Sequence, residues 1–269
     1  MNKVENINSL ITCRELAEQI KNNVKSEINK FNIKPSLAIF SNNRPDGERY
    51  IKNKVKVAEE VGINATVYNL LNPTKVKEYL SVINDTGIII QLPFTDNKTQ
   101  DDELVSEISM HQDVDGLSGA VTPATALGVF KYLEINNLIE GKSITIIGRS
   151  QLVGMPLAKL LLNTNATVTL CHSKTNNLNQ YIKNADVIVC AVGKANFIKP
   201  ETLDSEKLYH IVDVGINFED GKLVGDVPAI TKDLQNVIAT PVPGGVGLLT
   251  TACLMENTLT LYKQNVDLF

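Results

Sequence analysis

Short apolar runs rich in Val and Ile alternate with amphipathic stretches along this chain. The alternation is typical of βαβ units, in which helices cover the faces of a parallel sheet. Between two such series lies Pro123 to Asn137, whose pattern predicts a helix that carries the chain from one lobe to the other. The sequence therefore predicts an α/β fold of two lobes with a cleft between them. The lobes are residues 1–133 and 134–249, and a C-terminal helix 250–269 rejoins the first lobe.

The same patterns predict the individual elements. In the first lobe we expect three strands, at Ser36–Ser41, Ala65–Leu70 and Gly87–Leu92. The helices expected there are Cys13–Lys30, Glu48–Val61, Thr74–Asn84 and Asp102–Ser109. In the second lobe a helix after Gly154 accompanies strands at Ser143–Ile147, Ala166–Leu170, Asp186–Ala191 and His210–Val214.

Composition narrows the class of partner. The chain has 269 residues with 26 Lys and Arg against 30 Asp and Glu, a net charge of -4, so it offers no broad basic surface for nucleic acid. Its four cysteines are far apart and lack metal-ligand spacing, so we expect reduced, mostly buried thiols and no metal site. No apolar stretch approaches the roughly 20 residues that span a bilayer. A small-molecule partner and a cytoplasmic location are expected.

The predicted strand Ser143–Ile147 runs directly into a glycine turn from Gly148 to Gly154, and a helix containing LAKLLL follows. Such a turn lets the backbone approach a pyrophosphate and aims the helix N-terminus at the anion. The spacing differs from GxGxxG because Ser150 replaces the second glycine and the last glycine comes one residue late. Ordinary turns between a strand and a helix also contain glycines, so spacing alone leaves a purely structural turn open.

The next predicted strand ends without an acidic residue. NAD-binding units usually place Asp or Glu there to hold the ribose 2′-hydroxyl. Here the strand is followed by His172, Ser173 and Lys174. Ser173 can donate to a 2′-phosphate and Arg149 can form a charge-assisted pair with it, so NADP is favoured over NAD. His172 and Lys174 are as readily interpreted as solvated loop residues.

The helix that carries RYIKNKVKVAEEVGI has a lysine on its apolar face. At 100° per residue, Lys54 lies in the middle of a continuous arc of apolar residues and Tyr50, whereas Lys52, Lys56, Glu59 and Glu60 fall opposite. Desolvating an ammonium is unfavourable unless it is paired or loses its proton, so Lys54 is a candidate for proton transfer. A lysine whose stem covers apolar surface while its ammonium reaches water is the alternative.

Two further polar residues, Gln91 and Asp115, are candidates for the same site. Gln91 stands at the carboxyl end of the predicted strand Gly87–Leu92, where ligands gather in open parallel sheets. It could bind a substrate or the lysine, although a satisfied structural amide is nearly as common. Asp115 could accept hydrogen bonds from a nitrogen-rich ring, or it could simply form a turn before Gly116.

A second glycine turn, TPVPGGVG, lies between a strand and the last helix. Its prolines fix one side, and its glycines remove side chains from the other. This arrangement suits close approach of the backbone to a flat ligand. Gly244 and Gly245 are therefore candidate binding positions, and a purely structural turn is the alternative.

Taken together, these segments resemble the bifunctional methylenetetrahydrofolate dehydrogenase and methenyltetrahydrofolate cyclohydrolase family along nearly the whole chain. The motifs that carry the resemblance are, in order, YIKNK with EEVGI, GIIIQLP, DVDGL, IIGRSQLVGMP, CHSKT, DVGIN, GDV and TPVPGGVG. Chance agreement of eight motifs in order is not credible.

The resemblance implies an N-terminal folate-binding catalytic domain and a Rossmann-like domain for NADP. It implies that Lys54 is the catalytic lysine, that Tyr50 shapes the folate site, that Gln91 modulates the lysine and that Asp115 holds the pterin. The residues that it implies for cofactor binding are Gly148, Arg149, Ser150, Ser173, Val192, Gly193, Ile216, Gly244 and Gly245. The implied partners are one-carbon derivatives of tetrahydrofolate and, in a homodimer, a second copy of the chain.

The sequence departs from the family in several places. Gly47 stands where the family has Ser, Gln112 where it has Lys, Leu248 where it has Pro, and Pro123-Ala124-Thr125-Ala126 replaces PCTP. The largest departure is the connection GLSGAVT after Asp115, which is longer in the family. Because the longer loop resembles a flap beside the cofactor, we expect NADP binding to be weakened more than folate binding. A dehydrogenase without cyclohydrolase activity and a binding protein that has lost turnover are the rival hypotheses.

Overall fold

Two parallel sheets organise the computed structural model, which describes residues 10–266. The chain divides into two compact units. One unit contains Glu18–Ala124 and the described part of Thr251–Phe269, and we call it the lysine unit because Lys54 lies in it. The other contains residues 10–17 and Thr125–Thr250, and we call it the glycine-turn unit. The α/β class is confirmed. The boundaries 1–133 and 134–249, and the cleft, stay predictions.

The lysine unit is built on three parallel strands in the order β2-β1-β3. They are β1 (Ser36–Ser41), β2 (Asn64–Asn69) and β3 (Gly87–Ile90). The connecting helices are α2 (Pro45–Val61), α3 (Pro73–Leu80) and, after β3, α4 (Lys98–Ser106). Helix α1 (Cys13–Ile28) precedes them. Four consecutive residues of β1 are fully buried, as expected for a strand covered on both faces.

Helix α2 has clear start and stop signals. Pro45 occupies its first turn, where a fixed φ and a missing N–H are tolerated. Gly62 ends it in the left-handed region at φ 91°, and its N–H donates to the carbonyl oxygens of Ala58 and Glu59. These two ends fix where the helix begins and stops, and so which residues face the sheet.

The glycine-turn unit is built on five parallel strands in the order β10-β7-β6-β4-β5. They are β4 (Ser143–Ile147), β5 (Thr167–Cys171), β6 (Val187–Cys190), β7 (Tyr209–Asp213) and β10 (Val237–Ala239). An antiparallel hairpin of β8 (Asn217–Glu219) and β9 (Lys222–Val224) follows β7. The helices are α5 (Ala124–Ile135), α6 (Gly154–Leu162), α7 (Leu178–Asn184) and α8 (Ala229–Lys232), with a 3₁₀ turn at Pro200–Thr202. Helix α9 (Val246–Val266) begins in this unit, and its residues from Thr251 onwards belong to the lysine unit.

The observed elements differ from the predicted ones mainly at their ends. Helix α4 begins at Lys98 rather than Asp102, because the side chain of Asn97 accepts hydrogen bonds from the N–H groups of Thr99 and Gln100 and caps the helix. Helix α3 ends at Leu80 rather than Asn84. Helix α7, the hairpin of β8 and β9 and the four-residue α8 were not predicted from the sequence. Among the described residues, no helix is both long enough and apolar enough to cross a membrane.

Candidate active site

The apolar face of α2 is arranged as its sequence predicts. Ile51, Val57, Ala58 and Val61 are buried, and Lys54 and Tyr50, on the same face, are partly buried. The lysines and glutamates of the opposite face, Lys52, Lys56, Glu59 and Glu60, are exposed. Lys54 is therefore held among apolar neighbours by the helix period itself.

Lys54 lies against the end of the neighbouring strand. Its Nζ donates a 2.8 Å hydrogen bond to Oε1 of Gln91, the residue that follows β3. Gln91 is fixed in turn, because its backbone N–H donates to the carbonyl oxygen of Phe40 and its Nε2 donates to that of Leu92. Since an ammonium can only donate, the amide oxygen must be the atom that faces Lys54. The structure thus brings together two polar residues that lie 37 positions apart in the sequence.

Asp115 influences the same lysine electrostatically. Burial lowers the pKa of Lys54, and the nearby carboxylate of Asp115 acts in the opposite direction. Burial likewise raises the pKa of Asp115, and the charge of Asp113 raises it further, whereas Lys54 lowers it. Burial is the largest effect on each group and disfavours its charged form, so the neutral amine is more accessible here than at an exposed lysine.

Tyr50 lies one turn before Lys54 on α2 and is partly buried. Burial raises the pKa of its phenol, and the charge of Arg49 lowers it by less. The hydroxyl therefore stays protonated at neutral pH and can donate a hydrogen bond to a ligand.

The backbone around Asp115 continues the sheet. Ile88 of β3 forms a parallel bridge with Asp113, and its N–H donates to the carbonyl oxygen of Gln112 at 2.7 Å. Asp115, two residues beyond this bridge, therefore lies beside the carboxyl end of β3, where Gln91 begins. This extra pairing was not predicted from the sequence, because the segment has no run of apolar residues.

The short connection 116–122 is tied at both ends. The carboxylate of Asp113 accepts hydrogen bonds from the N–H groups of Gly116 and Ser118, and Nδ2 of Asn257 donates to the carbonyl oxygens of Val114 and Thr122. Asn257 was not predicted from the sequence, although it interrupts the apolar face of the last helix much as Lys54 interrupts that of α2.

Gly116 is required by the path of this connection. Its φ is 82°, in the region that favours glycine, and a Cβ there would lie 2.7 Å from the backbone nitrogen of Pro123. The connection is therefore a tightly closed turn, and it fixes the backbone that carries Asp115.

The nine predicted cofactor residues all lie in the glycine-turn unit, in loops that follow the carboxyl ends of its parallel strands. At Gly148, φ is 115° and a Cβ would lie 2.1 Å from the carbonyl oxygen of Ala191; at Gly154 a Cβ would lie 1.8 Å from that of Gly148. Both glycines are needed for the strand to turn closely into α6. This edge is where ligands bind in open parallel sheets.

Arg149, Ser150 and Ser173 follow two neighbouring strands. All three residues are exposed, and β4 and β5 are paired up to Ile147 and Cys171. Ser150 also shapes the turn, because its Oγ accepts a hydrogen bond from the N–H of Val153. The structure thus places Arg149 and Ser173 at adjacent strand ends.

The remaining cofactor candidates follow β6, β7 and β10. Val192 and Gly193 come after β6, and Ile216 after β7 is 47% exposed. Gly244 has φ 95°, and a Cβ at Gly245 would lie 2.2 Å from the carbonyl oxygen of Pro241. In residues 10–266, no group of three or more His, Cys, Asp or Glu side chains is placed to hold a metal ion.

Two family models match the chain. Residues 11–115 match the catalytic domain of tetrahydrofolate dehydrogenase/cyclohydrolase, and residues 123–266 match the NAD(P)-binding domain of the same family. The chain belongs to this family. The tetrahydrofolate dehydrogenase/cyclohydrolase models leave out residues 116–122, the short connection described above.

Individual members of the tetrahydrofolate dehydrogenase/cyclohydrolase family are similar to this chain along nearly their full length. The bifunctional protein FolD of Campylobacter jejuni (strain 81-176) is 38% identical over 285 aligned positions, which cover 96% of this chain and 100% of the relative. A crystal structure of FolD from Campylobacter jejuni is similar with a TM-score of 0.85 at 36% identity, covering 95% of this chain and 99% of that one. A Trypanosoma brucei FolD structure, complexed with NADP cofactor and inhibitor, has a TM-score of 0.84 at 28% identity, covering 96% and 98%.

These similarities confirm the predicted family, the two-domain α/β organisation and the class of bifunctional dehydrogenase and cyclohydrolase. The alignment with the Campylobacter relative is longer than the 269 residues of this chain, so that relative contains residues with no counterpart here. The roles of individual site residues stay predictions.

Proposed function

We propose that this chain oxidises 5,10-methylenetetrahydrofolate to 5,10-methenyltetrahydrofolate with NADP, and that it hydrolyses the product to 10-formyltetrahydrofolate. The observation that carries the proposal is the partly buried ammonium of Lys54, hydrogen-bonded to the amide of Gln91 beside Asp115. Membership of the family supports both activities.

The glycine-turn unit suits NADP in its backbone and in its charge. Gly148 and Gly154 let β4 turn closely into α6, whose N-terminus suits a pyrophosphate, and the exposed guanidinium of Arg149 can pair with a 2′-phosphate. Ser173 would donate to the same phosphate. The loops at Val192, Gly193, Ile216, Gly244 and Gly245 would line the rest of the dinucleotide. When bound, NADP supplies a nicotinamide ring that accepts a hydride.

In the first step, hydride leaves the methylene carbon and the product is a methenyl cation whose charge is shared by N5 and N10. The chain transfers no proton here, so its contribution is to hold the folate in the reactive geometry. Asp115 would accept hydrogen bonds from pterin nitrogens, and the protonated phenol of Tyr50 would donate to the folate.

In the second step, the oxygen of a water molecule bonds to the methenyl carbon and one proton of that water passes to neutral Lys54 Nζ. The bond from this carbon to N5 then breaks as the new hydroxyl loses its proton to N5, which leaves a formyl group on N10. The proton on Lys54 is released to solvent. Gln91 holds the amine in place throughout, and positioned acid–base groups of this kind typically contribute about 10²- to 10⁴-fold.

The test replaces Lys54 with Met and, as a matched control, replaces the exposed Lys56 of the same helix with Met. We expect Lys54→Met to reduce hydrolysis of methenyltetrahydrofolate by about 100-fold or more. Lys56→Met should keep the parent rate. NADPH binding, followed by its fluorescence, should be unchanged in both variants.

Formation of NADPH from methylenetetrahydrofolate by the parent chain tests the dehydrogenase. A chain that binds both ligands but neither forms NADPH nor hydrolyses methenyltetrahydrofolate would be a binding protein. Equal hydrolysis by Lys54→Met and the parent would overturn the proposed role of the lysine.

We further propose that the chain is a homodimer, acts in the cytoplasm and supplies formyl groups for purine biosynthesis. The family resemblance supports these proposals. The net charge of -4 argues separately against a polyanionic partner such as nucleic acid. Light scattering of the purified chain measures the assembly state directly.

A further inference from the structure

Two aspartates in the glycine-turn unit are fully buried, and the function proposed above gives neither of them a role. Asp213 begins the DVGIN motif at the end of β7, and Asp226 is the acid of the GDV motif after β9. Their exposed fractions are 1% and 0%. A buried carboxylate is unfavourable unless its oxygens are hydrogen-bonded, so the partners of these two indicate their purpose.

Asp226 accepts hydrogen bonds from three consecutive backbone N–H groups in the loop after β6. Its Oδ2 accepts from Val192 at 2.8 Å and from Gly193 at 3.1 Å, and its Oδ1 accepts from Lys194 at 2.8 Å. Nδ2 of Asn217 donates to Oδ1 at 3.0 Å. The carboxylate thus fills the concavity of this loop, and it holds the two residues proposed to contact the dinucleotide, Val192 and Gly193.

Asp213 holds Asp226 in place. Its Oδ1 accepts from the N–H of Asp226 at 2.8 Å and from that of Gly215 at 3.2 Å, and its Oδ2 accepts from the N–H of Val227 at 3.2 Å. Nζ of Lys232 lies 2.7 Å from Oδ2 and balances the charge. One carboxylate therefore fixes the backbone that presents the other.

The same network reaches the second glycine turn. Lys232 Nζ also donates to the carbonyl oxygen of Thr240 at 3.1 Å, and the hydroxyl of Thr240 accepts from the N–H of Asp213 at 2.9 Å. Thr240 directly precedes the PVPGG segment that contains Gly244 and Gly245. The ends of β6, β7 and β10 are therefore connected through buried charged groups.

Two glycines of these motifs make room for the carboxylates. A Cβ at Gly215 would lie 2.1 Å from Oδ1 of Asp226, and a Cβ at Gly225 would lie 1.9 Å from Oδ2 of Asp213. The DVGIN motif thus supplies Asp213 and the glycine that makes room for Asp226. The GDV motif supplies Asp226 and the glycine that makes room for Asp213.

We infer that Asp226 is a positioning residue for the dinucleotide. It shapes the Val192–Lys194 loop into the conformation that binds the cofactor, and Asp213 with Lys232 holds it there. The inference rests on the proposed function, because it takes the cofactor to lie on this loop. Replacing the carboxylate by an amide turns one acceptor oxygen into a donor that faces N–H groups, so the loop should relax while the sheet remains.

The test compares Asp226→Asn with Asp186→Asn in the full chain. Asp186 also accepts from a backbone N–H of the same sheet, that of Ser143 at 2.9 Å, but it lies at the amino end of the strands. We expect Asp226→Asn to raise the NADPH dissociation constant about tenfold or more, since contacts to a charged acceptor are lost. The kcat for hydrolysis of methenyltetrahydrofolate, which consumes no cofactor, should be unchanged. Asp186→Asn should change neither quantity.

Hydrogen exchange without cofactor gives a second measurement. The amides of 192–194 should exchange faster in Asp226→Asn, with β4 and β6 protected as in the parent. If Asp226→Asn does not fold, the NADPH dissociation constant of Asn217→Ala is measured instead. This variant removes a single donor to Asp226 and should raise that dissociation constant severalfold.

A folded variant that binds NADPH like the parent would overturn this inference and leave the proposed function intact. A parent chain that does not bind NADPH would overturn both. Equal losses of NADPH binding and hydrolysis would indicate a general structural role for Asp226 and would also overturn the inference.

Discussion

Lys54 donates a hydrogen bond to a neutral amide oxygen, and this partner determines the acid–base behaviour of the lysine. An amide oxygen orients the ammonium without the charge stabilisation that a carboxylate at contact would provide. Burial therefore prevails over the attraction of Asp115, and the pKa of Lys54 is lowered. A lysine arranged in this way can give up and take back a proton near neutral pH more readily than an exposed one.

The rate of hydrolysis should therefore rise with pH as Lys54 loses its proton. Its lowered pKa places the midpoint of the rise below the ordinary lysine value of 10.5. Because the charge of Asp115 raises the pKa of Lys54, Asp115→Asn should move the midpoint to lower pH. The measurement is kcat for methenyltetrahydrofolate hydrolysis against pH, with the rate of Lys54→Met subtracted as background. A midpoint that moves to higher pH in Asp115→Asn would contradict this assignment.

Arg149 should set the preference for NADP over NAD. A charge-assisted contact with a 2′-phosphate contributes about 1.5 to 3 kcal/mol, so Arg149→Ala should reduce the preference about tenfold or more. Ser173→Ala should reduce it by less, because a neutral donor is lost. The ratio of kcat/KM for the two cofactors measures the preference, with the exposed Lys159 of α6, changed to Ala, as control. A parent chain indifferent to the 2′-phosphate would refute the assignment.

At the scale of elements, the sequence predicts the strands and helices whose bounds depend on neighbouring residues. The buried runs of β1 and β4 have the predicted bounds, and α2 keeps its apolar arc, because period and burial can be read from neighbouring residues. The three-residue strands of the hairpin are too short to carry a period, and they were missed. The clamp on the connection after Asp115 joins Asn257 to Val114 across 143 positions, so nothing local indicates it.

The contacts that hold the short connection 116–122 also determine where a longer loop can be inserted to test its role. A family-length loop should be inserted between Gly119 and Ala120, because Gly119 is exposed and a Cβ there would meet nothing within 4 Å. Insertion after Leu117 would instead disturb the hydrogen bond from Ser118 to Asp113. If the longer loop contributes a few hydrogen bonds to NADP at about 0.5 to 1.5 kcal/mol each, the graft should lower the KM for NADP by one to three decades.

The KM for the folate should change little in the graft. An insertion of equal length between Asp220 and Gly221, at the open turn of the hairpin, is the control and should leave both constants unchanged. An unaltered KM for NADP in a folded graft would mean that the missing loop does not account for cofactor affinity.

At the scale of the whole molecule, the chain passes between its two units within or at the start of helices. The divisions fall after Ala17 in α1, after Ala124 at the start of α5 and after Thr250 in α9. Cutting the chain at these points would break α1 and α9, so neither unit is a natural fragment. The assignment of one ligand to each unit has to be tested in the full chain.

Hydrogen exchange of the full chain should separate the two ligands by unit. Saturating NADPH should protect peptides of Thr125–Thr250, above all the turns after β4 and β6, because a ligand at 100 times its dissociation constant stabilises the state that it binds by about 2.7 kcal/mol. Methenyltetrahydrofolate, added to Lys54→Met so that it is not consumed, should protect Glu18–Ala124 around Gln91 and Asp115. The control is each ligand with the variant that weakens its own site, Asp226→Asn for NADPH and the double variant Lys54→Met with Asp115→Asn for the folate. Protection by the folate confined to Thr125–Thr250 would reverse the assignment, since the lysine unit would then hold the candidate catalytic residues without their substrate.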